Sequence, residues 1–173
     1  MNLYTEYMIA RKKSLVDYII DVLILIAAIL ATGFLSCFIF VQLYGMIAVL
    51  AIFGVWYLAY IVITSRHIEY EYCVANGEME VDRIIGKKKR KNVATIEIPT
   101  AEIIAPAVVD YTKQYDREGI NNRIDASKRD NAVLDFFIIY PNDNGGFTRL
   151  LFTPNMGVLE MIKKANPRNT FFE

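Results

Sequence analysis

The chain has one histidine, two cysteines and no excess of either charge: 19 Lys and Arg stand against 19 Asp and Glu in 173 residues. Each shortage removes a class of function. With His67 alone, no second histidine is at hand to activate a nucleophile or complete a ligand set. The chain also carries no G-x-S-x-G, no H-E-x-x-H and no glycine-rich phosphate loop. Cys37 falls in an apolar run and Cys73 in an alternating segment, so the two make neither a disulfide framework nor a metal-binding pair. Past Arg66 there are 15 Lys and Arg against 16 Asp and Glu, a balance of −1. Nucleic-acid binders carry a clear basic excess instead. The residues therefore nominate no catalytic side chain, no metal ligand and no cofactor, and nucleic acid is not an expected partner.

What the chain does have is apolar residues, 54% of the total, against roughly 45–50% in soluble proteins. The surplus is concentrated between Val22 and Thr64. Val22 to Val41 is a run of 20 positions without a charge; at about 1.5 Å per helical residue it spans about 30 Å, the thickness of a bilayer's hydrocarbon core. Met46 to Thr64 is a second such run, and Gln42, Leu43, Tyr44 and Gly45 alone separate the two. In lipid each backbone group must be satisfied within its own segment, so the expected structure is a tight hairpin of two transmembrane helices. The first run is too long for the core of a signal peptide and no A-x-A site follows it.

Basic residues flank the pair on both sides, Arg11, Lys12 and Lys13 before it and Arg66 after it, and the turn has none. Such a pattern places both chain termini in the cytoplasm of a cell-membrane protein. Ala28, Thr32 and Ser36 repeat at helical spacing and are expected to pack within the hairpin. Trp56, Tyr57 and Tyr60 read as interfacial anchors. Asp17 and Asp21, at the mouth of the first helix, are expected to be terminal carboxylates rather than a proton relay. Residues 1–21 form an N-terminal cytosolic or interfacial segment, 22–64 the hairpin and 67–173 a separate domain. Within the first, Leu3, Tyr4, Tyr7 and Met8 are spaced for a short amphipathic helix at the membrane surface, with a flexible tail as the alternative.

From His67 the period becomes two. Ile68, Tyr70, Tyr72 and Val74 alternate with polar partners, and Asn76-Gly77 is a strong hairpin signal. Glu69 and Glu71 fall on the wet face of that strand. Further strands are expected over Met79–Ile85, Asn92–Ile98, Glu102–Ala105, Arg123–Ala126, Ala132–Tyr140 and Phe147–Phe152. A helix follows, capped by Thr153 with Pro154 at its first position. The fold class is a membrane helical hairpin plus a mostly-β α+β domain of seven short antiparallel strands and a C-terminal helix, an order of elements that fits a PH-like fold, with a generic α+β sheet covered by a helix as the alternative.

The stretch from Ile68 through Tyr72, then Asn76-Gly77-Glu78-Met79 and Asp82-Arg83-Ile84, resembles bacterial membrane proteins that carry a PH-like domain after a transmembrane hairpin. The segments Leu3 to Met8 and Ala165 to Phe172 resemble the ends of one such bacterial family, so the likeness covers essentially the whole chain. It implies a scaffold and no activity. Eukaryotic PH domains often bind phosphoinositides through the turn between their first two strands; here that turn reads as Asn76-Gly77, which is too short.

One polar feature stands out: Lys87, Lys88, Lys89, Arg90 and Lys91 are adjacent and fall in a hairpin. Five neighbouring cations repel one another, so the run does not serve stability. Two readings stand. It touches anionic lipid headgroups or a protein partner, or it is a solvated turn that discourages edge pairing. The expected function is a non-enzymatic, membrane-anchored interaction module that binds a protein partner or the inner leaflet. The alternative is an accessory subunit of a transporter or membrane enzyme that uses the hairpin as its interface. Oligomeric state is not legible.

Overall fold

The computed structural model describes residues 4–38, 45–108, 120–130, 134–142 and 145–172. It divides into two units, residues 13–67 and a second made of residues 1–12 together with 68–173.

The first unit holds α1, Leu15–Ser36, and α2, Gly45–Ser65. Both are long and apolar enough to cross a membrane, and only 6% and 11% of their most apolar windows are buried. That exposure separates them from the core helix of a soluble protein, whose apolar surface is covered by the rest of its chain. Small residues sit where the surface is covered: Ala28, Ala48 and Ala59 are the buried positions. The Thr32 hydroxyl donates to the Ala28 carbonyl at 2.8 Å and accepts from the Trp56 indole at 3.1 Å. Trp56, expected as an interfacial anchor, thus has a polar partner on the other helix. The Gln42–Tyr44 part of the expected turn lies outside the described residues.

Asp17 and Asp21 are not isolated carboxylates. The Ser14 backbone N–H donates to the Asp17 carboxylate at 3.0 Å, which offsets an unpaired donor at the helix start. Arg66 donates to Asp17 at 2.5 Å and to Asp21 at 3.1 Å, and Lys13 donates to Asp21 at 2.7 Å. Cations from both ends of the hairpin therefore neutralise the two acids.

The second unit is a two-sheet sandwich closed by a helix. The first sheet has the order β1-β2-β3-β4, with β1 Tyr4–Ala10, β2 Ile68–Ala75, β3 Glu78–Ile85 and β4 Lys89–Glu97. After a 3-10 turn at Ile98–Thr100 come β5 Ile103–Pro106, β6 Ile120–Asp125, β7 Phe136–Asn142 and β8 Gly146–Phe152, in the order β5-β7-β8-β6. Helix α3, Met156–Ala165, follows. All seven expected strands form. β6 pairs with β8 in parallel, against an expectation of antiparallel strands throughout.

The eighth strand corrects the reading of the N-terminus. Residues 4–10 form neither an amphipathic surface helix nor a loose tail; they pair antiparallel with β2, Tyr4 opposite Ala75 and Ala10 opposite Glu69. The segment also alternates with period two, burying Ile9 and half-burying Thr5 and Tyr7. An edge on β2 is available to it, and backbone pairing outweighs a weak helical moment in so short a stretch. The two apolar helices are consequently inserted in the chain between β1 and β2. Asn76-Gly77 joins β2 to β3, not the first two strands. Both residues have positive φ, 51° and 85°, as a two-residue hairpin turn requires.

One face of each sheet and the apolar side of α3 enclose the main core, in which Tyr72, Met79, Ile96, Ile138, Leu150, Phe152 and Ile162 are fully buried. The apolar run of β7 is explained by burial on both faces. Phe136 and Ile138 enter the main core, whereas Phe137 and Ile139 join Ile103 and Ala105 in a second cluster. The edge of β5 is taken up by the C-terminal tail: Ile104 accepts from Phe171 and donates to Asn169, both at 2.8 Å.

The helix cap is also reassigned. Asn155, not Thr153, caps α3, accepting from the Val158 N–H at 2.9 Å. Thr153 instead accepts from the Lys128 N–H at 2.8 Å and donates to Asp135 at 2.5 Å, joining the end of β8 to two neighbouring segments.

Candidate functional site

The basic run straddles the turn between β3 and β4. Gly86 and Lys87 take the two turn positions with φ of 58° and 59°. This left-handed geometry is the one a tight hairpin turn between twisted strands requires. Lys89, Arg90 and Lys91 do not lie in the turn but open β4, which begins three residues earlier than its apolar pattern suggests. Lys87, Lys88, Lys89, Arg90 and Lys91 are all exposed.

Arg90 differs from the lysines. Its guanidinium lies 2.9 Å from Glu71 and 3.9 Å from Asp82. Lys87, Lys88, Lys89 and Lys91 form no ion pair among the described residues. The sequence presents five equivalent cations; the fold withdraws one and leaves four.

Beneath Arg90, the outer face of the first sheet carries a depression of about 350 Å³ lined by Tyr4, Glu6, Glu71, Cys73, Glu80, Asp82 and Arg90. Strand register builds it: Glu6 lies opposite Cys73, Cys73 opposite Glu80, and Glu71 opposite Asp82. Glu71 is the exception to the expected wet face, being only 5% exposed. Its hydrogen bond to Glu6, then burial, raises the Glu71 carboxyl above the usual carboxylate range despite Arg90. The same hydrogen bond, with a second from the Tyr4 hydroxyl at 2.6 Å, holds Glu6 below that range. The neighbouring carboxyls of Glu71 and Glu6 thus shift in opposite directions. Donating to that carboxylate also raises the Tyr4 hydroxyl above its ordinary value, and burial pushes the Cys73 thiol up.

Two neighbouring carboxyls, one shifted up and one shifted down, resemble the requirement for acid–base work. Here they are consumed by each other, by Tyr4 and by Arg90. The chemistry on view is a staple between β1 and β2. Among the described residues no group of three or more His, Cys, Asp or Glu side chains is placed to hold a metal ion. Asp110, Asp116 and Glu118 of the long polar loop lie outside those residues. Asp125 and Asp130 take structural partners. Burial works against charge on Asp125, but hydrogen bonds from Arg129 and Ser127 hold its carboxyl below the usual range. Asp130 pairs with Lys12 at 3.1 Å. Arg11 lies 3.8 Å from Asp125, so two of the three cations before α1 are engaged within this unit.

The depression was missed in the sequence because it depends on β1 being a strand. Once Glu6 is set opposite Cys73, three strands bring their outward carboxylates together and β4 adds Arg90.

A profile of a bacterial PH-like domain family (DUF6106) matches residues 1–172. No curated protein and no solved structure matches the chain.

Proposed function

The chain belongs to that bacterial PH-like domain family, and from this premise we propose that it is a membrane-anchored, non-enzymatic interaction module whose lysine turn engages anionic lipid headgroups of the inner leaflet. The observation that carries the reading is a set of four exposed lysines without ion-pair partners among the described residues, Lys87 and Lys88 in the turn and Lys89 and Lys91 at the start of β4. The domain bearing them is tied twice to helices able to span a bilayer. β1 ends at Ala10 and α1 begins at Leu15; α2 ends at Ser65 and β2 begins at Ile68. Short tethers hold the local lipid concentration high.

Each lysine near an anionic surface contributes about 1 kcal/mol, so four contribute roughly 4 kcal/mol at moderate salt. That suffices to bias a tethered domain without any lipid-specific pocket. Both termini are cytoplasmic in this reading, because the uncharged turn sits between flanks that carry Arg11, Lys12, Lys13 and Arg66. The test uses the full chain in nanodiscs of zwitterionic lipid mixed with anionic vesicles. Discs with the wild-type chain should co-float with the vesicles and lose this at high salt. Discs with Lys87→Gln, Lys88→Gln, Lys89→Gln and Lys91→Gln combined should not co-float. Equal flotation of both, or none of either, rejects the proposal.

A further inference from the structure

The first sheet ends on β1 and β4, and the second on β6 and on β5, which the C-terminal tail covers. Between β4 and β6 lies a cleft of about 500 Å³, well within the range of sites that hold ligands. Val93, Thr95 and Glu97 of β4 form one wall, and Asn122 and Ile124 of β6 form another, with Tyr140 nearby. We propose that this cleft receives an extended peptide segment of a partner protein, paired with β4 and carrying a lysine or arginine.

Three observations converge on that occupant. The first is backbone. β4 pairs only with β3, and among the described residues the free side of Val93–Glu97 has no backbone partner. An added strand is the ordinary way to satisfy such an edge. The register shifts where Val81 and Asp82 face Ala94 and Asn92, and Lys89 to Lys91 occupy the other half of the strand. A bulge and lysines both deter edge pairing, so pairing is confined to the stretch that lines the cleft.

The second is charge. Glu78 and Glu97 face each other across the β3–β4 register, both exposed, and neither has an ion-pair partner among the described residues. Like charges placed directly opposite are unfavourable. Among the described residues no cation lines the cleft, so the cleft favours an ammonium or guanidinium and disfavours phosphate or an acidic segment. The third is the apolar side: Val93, Ile124 and Tyr140 are partly buried against the main core yet open to the cleft. Alternate side chains of a strand would rest there, while the cation reaches Glu78 and Glu97. The inference does not depend on the lysine turn, which lies at the opposite end of β4.

The experiment pans a random short-peptide library against the full chain in zwitterionic nanodiscs. Enriched peptides should carry Lys or Arg among β-branched and apolar residues. They should slow amide exchange at Thr95 and Glu97, and bind Glu78→Gln/Glu97→Gln about tenfold more weakly or worse. Both carboxylates are exposed, so their neutralisation relieves a repulsion without opening the core. No enriched peptide, enrichment without a cationic bias, or unchanged binding to the double variant overturns the proposal.

Discussion

Tyr72 offers the sharpest energetic test of how the two sheets are joined. Its side chain is fully buried, with its ring edge-on to Phe152 at 5.7 Å between centroids. The hydroxyl donates to the Ala126 carbonyl at 2.6 Å and accepts from the Thr153 N–H at 3.2 Å. It therefore links β2 of the first sheet to the ends of β6 and β8 in the second. Tyr72→Phe preserves the ring and its packing but strands a buried acceptor and a buried donor. One such orphan costs about 1–3 kcal/mol, and the relief of burying a hydroxyl offsets part of two, which leaves roughly 2–4 kcal/mol. For a domain near 100 residues this lowers Tm by about 10 °C or more.

Tyr70→Phe is the matched control. Its ring is buried too, but among the described residues its hydroxyl makes a single bond, donating to the carbonyl of the half-buried Asp125 at 3.0 Å, so one partner is stranded and the loss is about 1 kcal/mol. Urea titration of the full chain in detergent micelles, read by pulse proteolysis of the β unit, measures both. A Tyr72→Phe loss within about 0.5 kcal/mol of zero, or equal losses in the two variants, refutes the reasoning.

Three further outcomes follow from the same geometry. A fragment of residues 67–173 lacks β1 and exposes the edge of β2, so it should aggregate or show no cooperative unfolding, and a synthetic peptide of residues 2–12 should restore exchange protection at Tyr70 and Tyr72; a cooperatively folded fragment contradicts the insertion of the helices within the sheet. Glu71 titrates higher in the folded chain than in the unfolded one, so its contribution is complete below the unfolded value and is lost as pH rises through the folded value. Glu71→Gln should flatten the fall in stability between acid and neutral pH, and parallel pH profiles would contradict the raised Glu71 carboxyl. Thr32→Val removes the acceptor for Trp56 and should weaken helix pairing by only about 0.6 kcal/mol, as measured by steric trapping, since polar contacts in membranes average that much.

The parts of the fold set by local pattern were legible in the sequence. Two charge-free runs of spanning length, the Asn76-Gly77 turn and seven short alternating or apolar segments bounded by turn residues need no long-range information. β1 was not legible: Tyr4 to Ala10 fits both periods in outline, and its partner Ile68–Ala75 lies beyond two helices. That single omission hid three things: the interruption of the sheet by the hairpin, the burial of Glu71 and the acidic depression around it. The α3 cap was misplaced because Thr153 and Asn155 are both competent caps, and the choice falls to whichever side chain is not claimed by tertiary contacts. Of the basic run, position and exposure were legible. The diversion of Arg90 was not, since it requires the β3–β4 register that sets Arg90 beside Ile84 and near Asp82.

The account stands most directly on whether the four lysines meet lipid. Lysine acylation of the full chain can be compared in zwitterionic nanodiscs and in discs containing anionic lipid, with Lys128 and Lys163 as internal references. Reactivity at Lys87, Lys88, Lys89 and Lys91 should fall in the anionic discs and recover at high salt, while the references stay constant. Unchanged reactivity at all four in the anionic discs would contradict the lysine turn as the domain's contact with the membrane.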